Sequence, residues 1–302
     1  MKFTNNQNLP EEIVRAIVAD DYDFRDPTLK TLSATQLNSP TKQIVLEARH
    51  SDEATEDVSD NIWKLLGTSV HYIIDKQSLP GDKILKQRII TPIFDDYKIT
   101  GKIDNFSLES GALKDYKVTS VWKYVYKDKD GGLNEYIEQL NVYAWLLESI
   151  GYSVQSISNI LIFRDWEESK VAGNDSYPSK AILEIPQPLW ARQDQEKFIF
   201  SKVKEIENAL TVSDDDIAIC SPRERWQTQT TWAIRKRGNK KAMRVLPSLQ
   251  EAKDWMDTNC DIGASIDIEE RPGIDKRCNP KYCPMCHWCN HYKEIAKDEQ
   301  AD

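Results

Sequence analysis

Two short strand-like runs constrain this chain more than any other feature. They are GKIDNF (101–106) and ALKDYKVT (112–119), and a turn with a glycine joins them. Because side chains alternate between the two faces of a strand, Asp115 and Lys117 lie on the same face. Asp104 lies on the neighbouring run, where a second carboxylate can complete the oxygen-rich cage that Mg²⁺ requires. The pattern therefore allows a hairpin that holds a divalent metal beside an ammonium group, and a solvated strand face is the other interpretation.

A helix before these runs carries a histidine. The sequence predicts this helix over Glu53–Lys76, because apolar residues recur there at helical spacing. These residues are Ile62, Leu66, Val70 and Ile73. Gly67 and His71 are four apart and share a face, so we expect the glycine to let a backbone or a ligand approach closely. Either packing or metal binding accounts for a histidine at this position.

A second helix, predicted over Asn134–Ile150, carries two polar residues on one face. Gln139 and Tyr143 are four apart and project together. The stripe expected to be buried consists of Leu140, Ala144 and Leu147. An ordinary amphipathic helix and a helix that contributes to a site both fit this pattern.

Four motifs now stand in a fixed order along the chain: GxxxH, GxxD, DxK and QxxxY. In that order they resemble the RecB-type branch of the PD-(D/E)XK nuclease superfamily, over roughly residues 30–165. The segment LSATQL (32–37) also resembles the opening of that family's first core helix. The resemblance implies an α/β fold with a restriction-endonuclease-like core. We expect a central mixed sheet flanked by helices, followed by a cysteine-rich C-terminal extension.

The resemblance also implies roles for the motif residues. His71, Asp104 and Asp115 would bind Mg²⁺ or Mn²⁺, and the backbone carbonyl of Tyr116 would add an oxygen ligand. Lys117 would orient the attacking water or stabilise charge in the transition state. These are the roles expected of a metal-dependent phosphodiesterase.

The resemblance also covers two residues of the second helix, and the chain differs from the family at one point. Gln139 and Tyr143 would contact the DNA backbone or brace the site. Relatives often carry a glutamate on the strand before GxxD, where this chain has Gln87 and Arg88. The departure concerns an accessory acidic group rather than the metal ligands.

The function implied is a metal-dependent DNA exonuclease of phage type, which acts on single-stranded or duplex ends in recombination, replication or repair. Proteins of recombination and replication are the expected partners, and the oligomeric state is left open. A non-catalytic nucleic-acid-binding protein that keeps the fold is one alternative, although it would need no paired acids facing phosphates. An RNA-directed nuclease is another.

Charge is unevenly distributed along the 302 residues. The net charge is −9, yet the run RKRGNKKAMR (235–244) holds six basic residues. A local basic patch suits phosphate binding whatever the total charge. The candidate DNA contacts are Lys236, Arg237, Lys240 and Lys241. A solvated hairpin is the equal alternative.

Four cysteines lie within twelve residues near the C-terminus: Cys278, Cys283, Cys286 and Cys289. Neighbouring thiolates indicate a metal, and both zinc and an iron–sulfur cluster accept four of them. We expect the metal to hold in place segments that have few other attachments.

A viral subgroup of RecB-type nucleases resembles this chain in CSPRERW (220–226), in the basic hairpin and in the spacing of three tail cysteines. That resemblance implies a 4Fe–4S cluster on Cys220, Cys278, Cys283 and Cys289, with Zn²⁺ as the alternative. In the purely local set, Cys286 takes the place of Cys220. Cys260 is expected to be uninvolved.

The predicted organisation has three parts: an N-terminal lead (1–29), the nuclease core (30–211), and a basic hairpin with the cysteine region packed on the core (212–302). Strands are predicted at 83–94, 97–108, 112–119, 156–164, 180–185, 226–232 and 242–245. Helices are predicted at 11–19, 195–210 and 248–258, the last with Ser248 as its cap.

The N-terminal residues MKFTNNQNLP contain no apolar stretch of the signal-peptide type, and no run reaches membrane-spanning length. We therefore expect a cytoplasmic protein, in the host cytoplasm if it is viral. In that compartment cysteines serve as metal ligands or thiols more often than as disulfides.

Overall fold

The computed structural model describes residues 2–19, 26–77, 84–93, 96–126, 133–239, 241–260 and 265–298. By compactness the chain forms two units. The first comprises Met1–Ile219 with Pro284–Asp302, and the second comprises Cys220–Cys283. The division expected at residue 212 stays a prediction. The polar stretch 127–132, which precedes the second motif helix, lies outside the described residues.

The first unit alternates strands and helices. In chain order its strands are β1 (Lys2–Thr4), β2 (Thr31–Ser33), β3 (Thr55–Asp57), β4 (Ile84–Leu85), β5 (Arg88–Pro92), β6 (Lys98–Lys102), β7 (Asn105–Ser107), β8 (Ala112–Thr119), β9 (Ser156–Phe163) and β10 (Ile182–Gln187). Its helices up to residue 219 are α1 (Glu11–Val18), α2 (Ala34–Leu37), α3 (Thr41–His50), α4 (Ile62–Asp75), α5 (Val121–Val125), α6 (Asn134–Ser149) and α7 (Arg192–Leu210).

The main sheet has the strand order β10-β9-β8-β7-β4. Its central pair, β8 and β9, is parallel, and the remaining neighbours are antiparallel. A smaller sheet has the order β2-β6-β5. Because parallel and antiparallel pairs occur together and helices α4, α6 and α7 accompany the sheets, the predicted mixed α/β fold is confirmed.

The predicted hairpin is formed by β7 and β8, which pair antiparallel with Asn105 opposite Lys114. The turn between them ends at Gly111, whose φ of 66° lies in the left-handed region that favours glycine. A Cβ at this glycine would also lie 2.8 Å from the backbone oxygen of Ser153. We call β7, the turn and β8 the site hairpin.

The prediction of one strand over 97–108 is wrong, because the chain breaks there and changes sheet. Strand β6 belongs to the smaller sheet and β7 to the main one, and the break falls at Ile103 and Asp104. The N–H of Ile103 donates to the carbonyl of Gln87, which lies at the matching break between β4 and β5. The predicted strand 83–94 is divided in the same way. Neither break carries a proline or glycine to signal it.

Helix α6 is the most deeply buried helix of the unit. Every residue from Gln139 to Leu147 is buried, and the helix contacts both sheets and α7. Its buried Asn141 is fully hydrogen-bonded: the side-chain amide donates to Ile137 and Pro188 carbonyls, and its oxygen accepts from Trp190 N–H. The helix predicted over 134–150 is thus confirmed, and it lies in the core rather than at the surface.

Helix α4 begins later than predicted. Residues 55–57 form β3, which pairs with β1, and Asp57 accepts a hydrogen bond from the N–H of Ser59 in the short 3₁₀ turn that follows. The acidic segment therefore pairs as a strand instead of starting the helix. No residue of α4 is buried within the described part of the chain, and Ile73 is exposed.

The second unit is a small antiparallel sheet with one helix. It contains β11 (Thr231–Lys236), β12 (Arg244–Leu246), α8 (Leu249–Asn259) and β13 (Ile266–Arg271), in the sheet order β12-β11-β13. Helix α8 begins as predicted, since the Ser248 hydroxyl accepts from the N–H of Glu251 at 3.1 Å. The strand predicted at 226–232 begins at Thr231 instead. Strand β13 was not predicted.

The chain returns to the first unit with helix α9 (Asn290–Asp298). This return is anchored on Lys42 of α3, whose side chain is 2% exposed. The Lys42 ammonium donates to the carbonyls of Asp214 and Ile217 and, at 3.0 Å, to the side-chain oxygen of Asn290. The Trp288 ring also stacks on His50, with the ring centres 5.0 Å apart. The expectation that the cysteine tail has few other attachments is wrong for this segment.

Along the described ranges, no helix combines the length and the apolar character that crossing a bilayer requires.

Candidate active site

Asp104 lies at the break between β6 and β7 and is 4% exposed. One carboxylate oxygen is 3.3 Å from Nδ1 of His71, which reaches it from α4. The other oxygen accepts a hydrogen bond from the backbone N–H of Tyr116 on β8, at 3.2 Å. The break in the strand therefore brings a motif helix and a motif strand to one carboxylate.

Asp115 and Lys117 point to the same face of β8, as their spacing predicts. The Lys117 Nζ lies 2.9 Å from one oxygen of Asp115, which is 2% exposed. The same oxygen accepts from the Asn159 side-chain amide at 3.1 Å, and the Asn159 oxygen in turn accepts from Gln187. One oxygen of Asp115 is thus shared by the Lys117 ammonium and the buried Asn159 amide.

Asn159 is a site residue that sequence reasoning missed. It is fully buried on β9 and lies directly opposite Asp115 in the parallel register of β8 and β9. Its position relative to the motif depends on strand pairing between residues 44 apart, which no local spacing reveals. The one sequence signal that points to Asn159 is an amide side chain inside an apolar strand-like run, because such a group needs a hydrogen-bond partner when it is buried.

These four charged groups alter one another's protonation. Burial lowers the pKa of His71, but the hydrogen bond and charge of Asp104 outweigh it and raise the pKa overall. Burial works against ionised Asp104, yet His71 and Lys117 hold its pKa below the usual range. Burial, together with the charge of Asp104, raises the pKa of Asp115 against the opposing attraction of Lys117. Burial opposes the charge on Lys117, and Asp115 and Asp104 raise its pKa nonetheless.

The donor set fits a divalent cation. His71 and the backbone N–H of Tyr116 both contact Asp104, and the charge of Asp104 acts on the nearby Asp115. Oxygen ligands suit Mg²⁺, and the imidazole is better matched to Mn²⁺. A bound cation would favour both carboxylates and so counteract the raised pKa of Asp115.

Gln139 and Tyr143 are buried on α6. The Gln139 amide donates to the Tyr143 hydroxyl at 2.7 Å and to the Thr35 hydroxyl at 3.3 Å. Both side chains are over nine-tenths covered. Of the two roles that the resemblance allows, bracing the site suits this geometry better than contact with a DNA backbone.

Tyr143 also connects two motifs through Gly101. A Cβ at Gly101 would lie 2.7 Å from the Tyr143 ring and 2.8 Å from Leu146. The GxxD glycine therefore lets α6 approach β6. Gly67 of the GxxxH motif is different, since a Cβ there would meet no described atom within 4 Å. No described residue therefore makes the close approach that was expected at Gly67.

The basic run lies on the second unit, on β11 and the turn after it. Arg235 forms an ion pair with Glu269 of β13, and the Arg237 Nε lies 3.4 Å from an oxygen of Asp267. In the described part of this unit, no carboxylate pairs with Lys236 or Lys241. Lys240 lies outside the described residues.

None of the six cysteines, all of which are described, forms a disulfide. Cys220, Cys278 and Cys283 belong to the second unit, whereas Cys286 and Cys289 belong to the first. Cys286 is buried, and the N–H of Cys289 donates to its carbonyl. The ligand set and the identity of the metal stay predictions.

No protein-family model matches this chain, and no curated protein matches it. Among solved structures, SSO0001 is similar with a TM-score of 0.43 at 16% identity, over 64% of this chain and 83% of that one. An alkaline exonuclease from Laribacter hongkongensis has a TM-score of 0.36 at 13% identity, over 61% and 91%. A phage-related exonuclease from Haemophilus somnus has a TM-score of 0.35 at 12% identity, over 58% and 90%.

Proposed function

We propose that the protein is a metal-dependent DNA exonuclease of the RecB-type PD-(D/E)XK kind. The observation that carries the proposal is the meeting of two buried carboxylates, a lysine and a histidine at one place. They come from a strand break, a central strand and a helix. Their order along the chain is that of the first three motifs.

Burial of these acids supports a role in metal binding. Two carboxylates that lie together out of water repel one another, and each loses hydration. A lysine and a histidine offset part of that cost, but burial still raises the pKa of Asp115. Such a cluster is costly to keep for packing alone, whereas a divalent cation would bind to it directly.

Each residue then has a specific task. A bound divalent cation supplies charge neutralisation at a phosphate and makes water more acidic. Asp104 and Asp115 would hold the cation, with His71 and the Tyr116 carbonyl as further ligands. Lys117, kept protonated by Asp115, would donate to the attacking water or to the charged phosphate oxygens. Asn159 would orient Asp115, and Gln139 would brace Tyr143 against β6.

The substrate we propose is DNA, bound in part through phosphate contacts of Lys236, Arg237, Lys240 and Lys241. These contacts would be independent of sequence. Proteins of recombination, replication or repair are the proposed partners, in the cytoplasm of a cell or of a viral host. We further propose that the cysteines bind a 4Fe–4S cluster or, failing iron, Zn²⁺.

The experiment that tests the function is digestion of end-labelled DNA with Mg²⁺, with Mn²⁺ and with EDTA. We expect stepwise loss of the label with either metal and none with EDTA. Single-stranded DNA, duplex DNA and RNA of one sequence should be compared in the same assay. Cleavage of RNA alone would make the protein an RNA-directed nuclease, and no cleavage of any substrate would leave a binding protein with a nuclease fold.

A further inference from the structure

An exposed aromatic pair lies directly after strand β8. Trp122 and Tyr126 stack with their ring centres 5.9 Å apart and their planes at 23°, and each is 50% exposed. Large aromatic surfaces that remain in water indicate a binding site more often than isolated exposed aliphatic residues do. Both rings belong to α5 and its C-terminal end.

Helix α5 is fixed to the end of the neighbouring strand. The Asp165 carboxylate accepts from the Ser120 hydroxyl at 2.6 Å and from the backbone N–H of Val121 at 2.7 Å. The Ser120 hydroxyl in turn accepts from the N–H of Trp122. The aromatic pair is therefore presented from an anchored turn of helix.

A further exposed aromatic ring lies at the same end of β8. Trp63 of α4 is 57% exposed, and the guanidinium of Arg164 lies 4.4 Å from its ring centre. The backbone N–H of Arg164 donates to the carbonyl of Thr119, the last residue of β8. Exposed aromatic rings thus occur on two elements that flank the end of the motif strand, and on α4 a cation lies over the ring.

The aromatic pair is connected to the candidate active site through Tyr136. The Lys117 Nζ lies 5.5 Å from the centre of the Tyr136 ring, and the Lys123 Nζ lies 5.3 Å from it. Lys123 is on α5, one residue after Trp122, and its Nζ is also 3.7 Å from a Glu135 oxygen. Two ammonium groups therefore lie around one ring, one of them in the site and the other beside the exposed pair.

We propose that Trp122 and Tyr126 form a stacking surface for the bases of a single DNA strand whose phosphate enters the site at Lys117. The proposal rests on the proposed function and names its substrate class. Lys123 and Arg164 match the anionic backbone, and the aromatic faces match the bases. Bases within a duplex are already stacked on one another, so only an unpaired strand can place a base on Trp122. An aliphatic partner would match neither feature, and an acidic peptide would match the cations but not the aromatic faces.

The test is a binding measurement in EDTA, in which cleavage plays no part. A fluorescent oligothymidylate, an abasic strand of equal length and charge, and a blunt duplex are titrated with protein while anisotropy is followed. The variants are Trp122→Ala and the conservative Trp122→Phe. The control is Tyr282→Ala, which removes another exposed ring beside a cation, in the second unit.

We expect Trp122→Ala to bind oligothymidylate about tenfold more weakly, because one stacked base is lost. The abasic strand should bind to this variant as it does to the wild type, since its phosphate contacts are unchanged. Trp122→Phe should restore most of the affinity, and Tyr282→Ala should leave it unaltered.

The outcomes that overturn the proposal differ from those that overturn the proposed function. Unchanged affinity of Trp122→Ala, or an equal loss on the abasic strand, would reject base stacking. So would a wild-type protein that binds the duplex and no single strand. A protein that cleaves DNA but shows one of these results keeps its function and loses the stacking surface. If Trp122→Ala weakens binding only to the strand that carries bases, but the wild-type protein cleaves no DNA, the stacking surface is kept and the proposed function is rejected.

Discussion

The site hairpin and the basic hairpin of β11 and β12 carry charge in opposite ways. In the site hairpin, Asp115 and Lys117 are buried against each other, so each group changes the protonation of the other. In the basic hairpin, Arg237 is exposed and its partner Asp267 is half-exposed. Water screens the attraction between such exposed charges, so the pair contributes little to the stability of the fold. The sequence pointed to both hairpins, but burial distinguishes them: one charged pair is out of water and the other remains solvated.

Replacing Asp115 with Asn should have the largest effect. The variant keeps the size of the side chain and a partner for Asn159, but it removes the charge that would hold the cation. We expect cleavage to fall below detection while circular dichroism and melting temperature remain close to wild type. Near wild-type cleavage by a folded variant would remove the site hairpin from the active site.

Lys117→Ala should lower the cleavage rate by about 100-fold or more, because a donor aimed at developing charge is lost. The matched control is Lys114→Ala on the same strand, whose ammonium pairs at 3.0 Å with Glu184 on the other face. We expect that control to cleave normally. Equal losses in the two variants would mean that charge on β8 matters in general and not the position of Lys117.

Gly101→Ala should destabilise the first unit by about 1–3 kcal/mol, because its Cβ would overlap the Tyr143 ring. Gly67→Ala has open space and should instead raise the free energy of unfolding by up to about 1 kcal/mol through helix propensity. Urea denaturation of the two variants measures both signs. Two variants of equal stability would show that the GxxD glycine does not set the approach of α6.

Metal analysis should separate the two predicted cofactors of the cysteines. An iron–sulfur protein purified without oxygen should be brown and contain about four irons per chain, whereas a zinc protein should be colourless with about one zinc. Cys220→Ser and Cys286→Ser should differ in metal content, because only one of these two cysteines is expected to be a ligand and only its replacement should release the metal. Cys260→Ser is the control and should retain it. Full stability in the absence of any metal would contradict a structural cluster.

The smallest effect should come from the basic hairpin. Replacing Lys236 and Lys241 together with Ala should make the slope of log affinity against log salt shallower by about 0.7–0.9 per lost phosphate contact. Arg237→Ala should change the slope less, because Asp267 already faces that guanidinium. An unaltered slope in the double variant would make the run a solvated hairpin.

Prediction from sequence succeeded where the signal is local. Strand β8 has the bounds predicted for it, 112–119, and α6 ends within one residue of the prediction. Alternation and helical spacing depend on neighbouring residues, so a single sequence displays them. The motif order added the expectation that these distant segments meet.

Prediction from sequence failed where interacting residues are far apart in the chain, and where one strand-like run is in fact two strands. Asn159 reaches Asp115 only through the register of β8 and β9. The break at Asp104 interrupts an otherwise continuous strand pattern, because the two halves join different sheets. Strand β13, which supplies Glu269 to the basic hairpin, alternates only over residues 266–269 and then continues into charged residues. Each failure concerns tertiary pairing rather than local preference.

The buried Lys42 ties the order of synthesis to the order of folding. Two of its three hydrogen bonds go to carbonyls in the 214–217 segment, and the third goes to Asn290 of α9. A buried ammonium that lacks an acceptor is costly. Asn290 follows the whole second unit in the chain, so the three acceptors of the Lys42 ammonium are all available only after residues 220–283 have been synthesised. The first unit should therefore complete its folding after the second unit has left the ribosome.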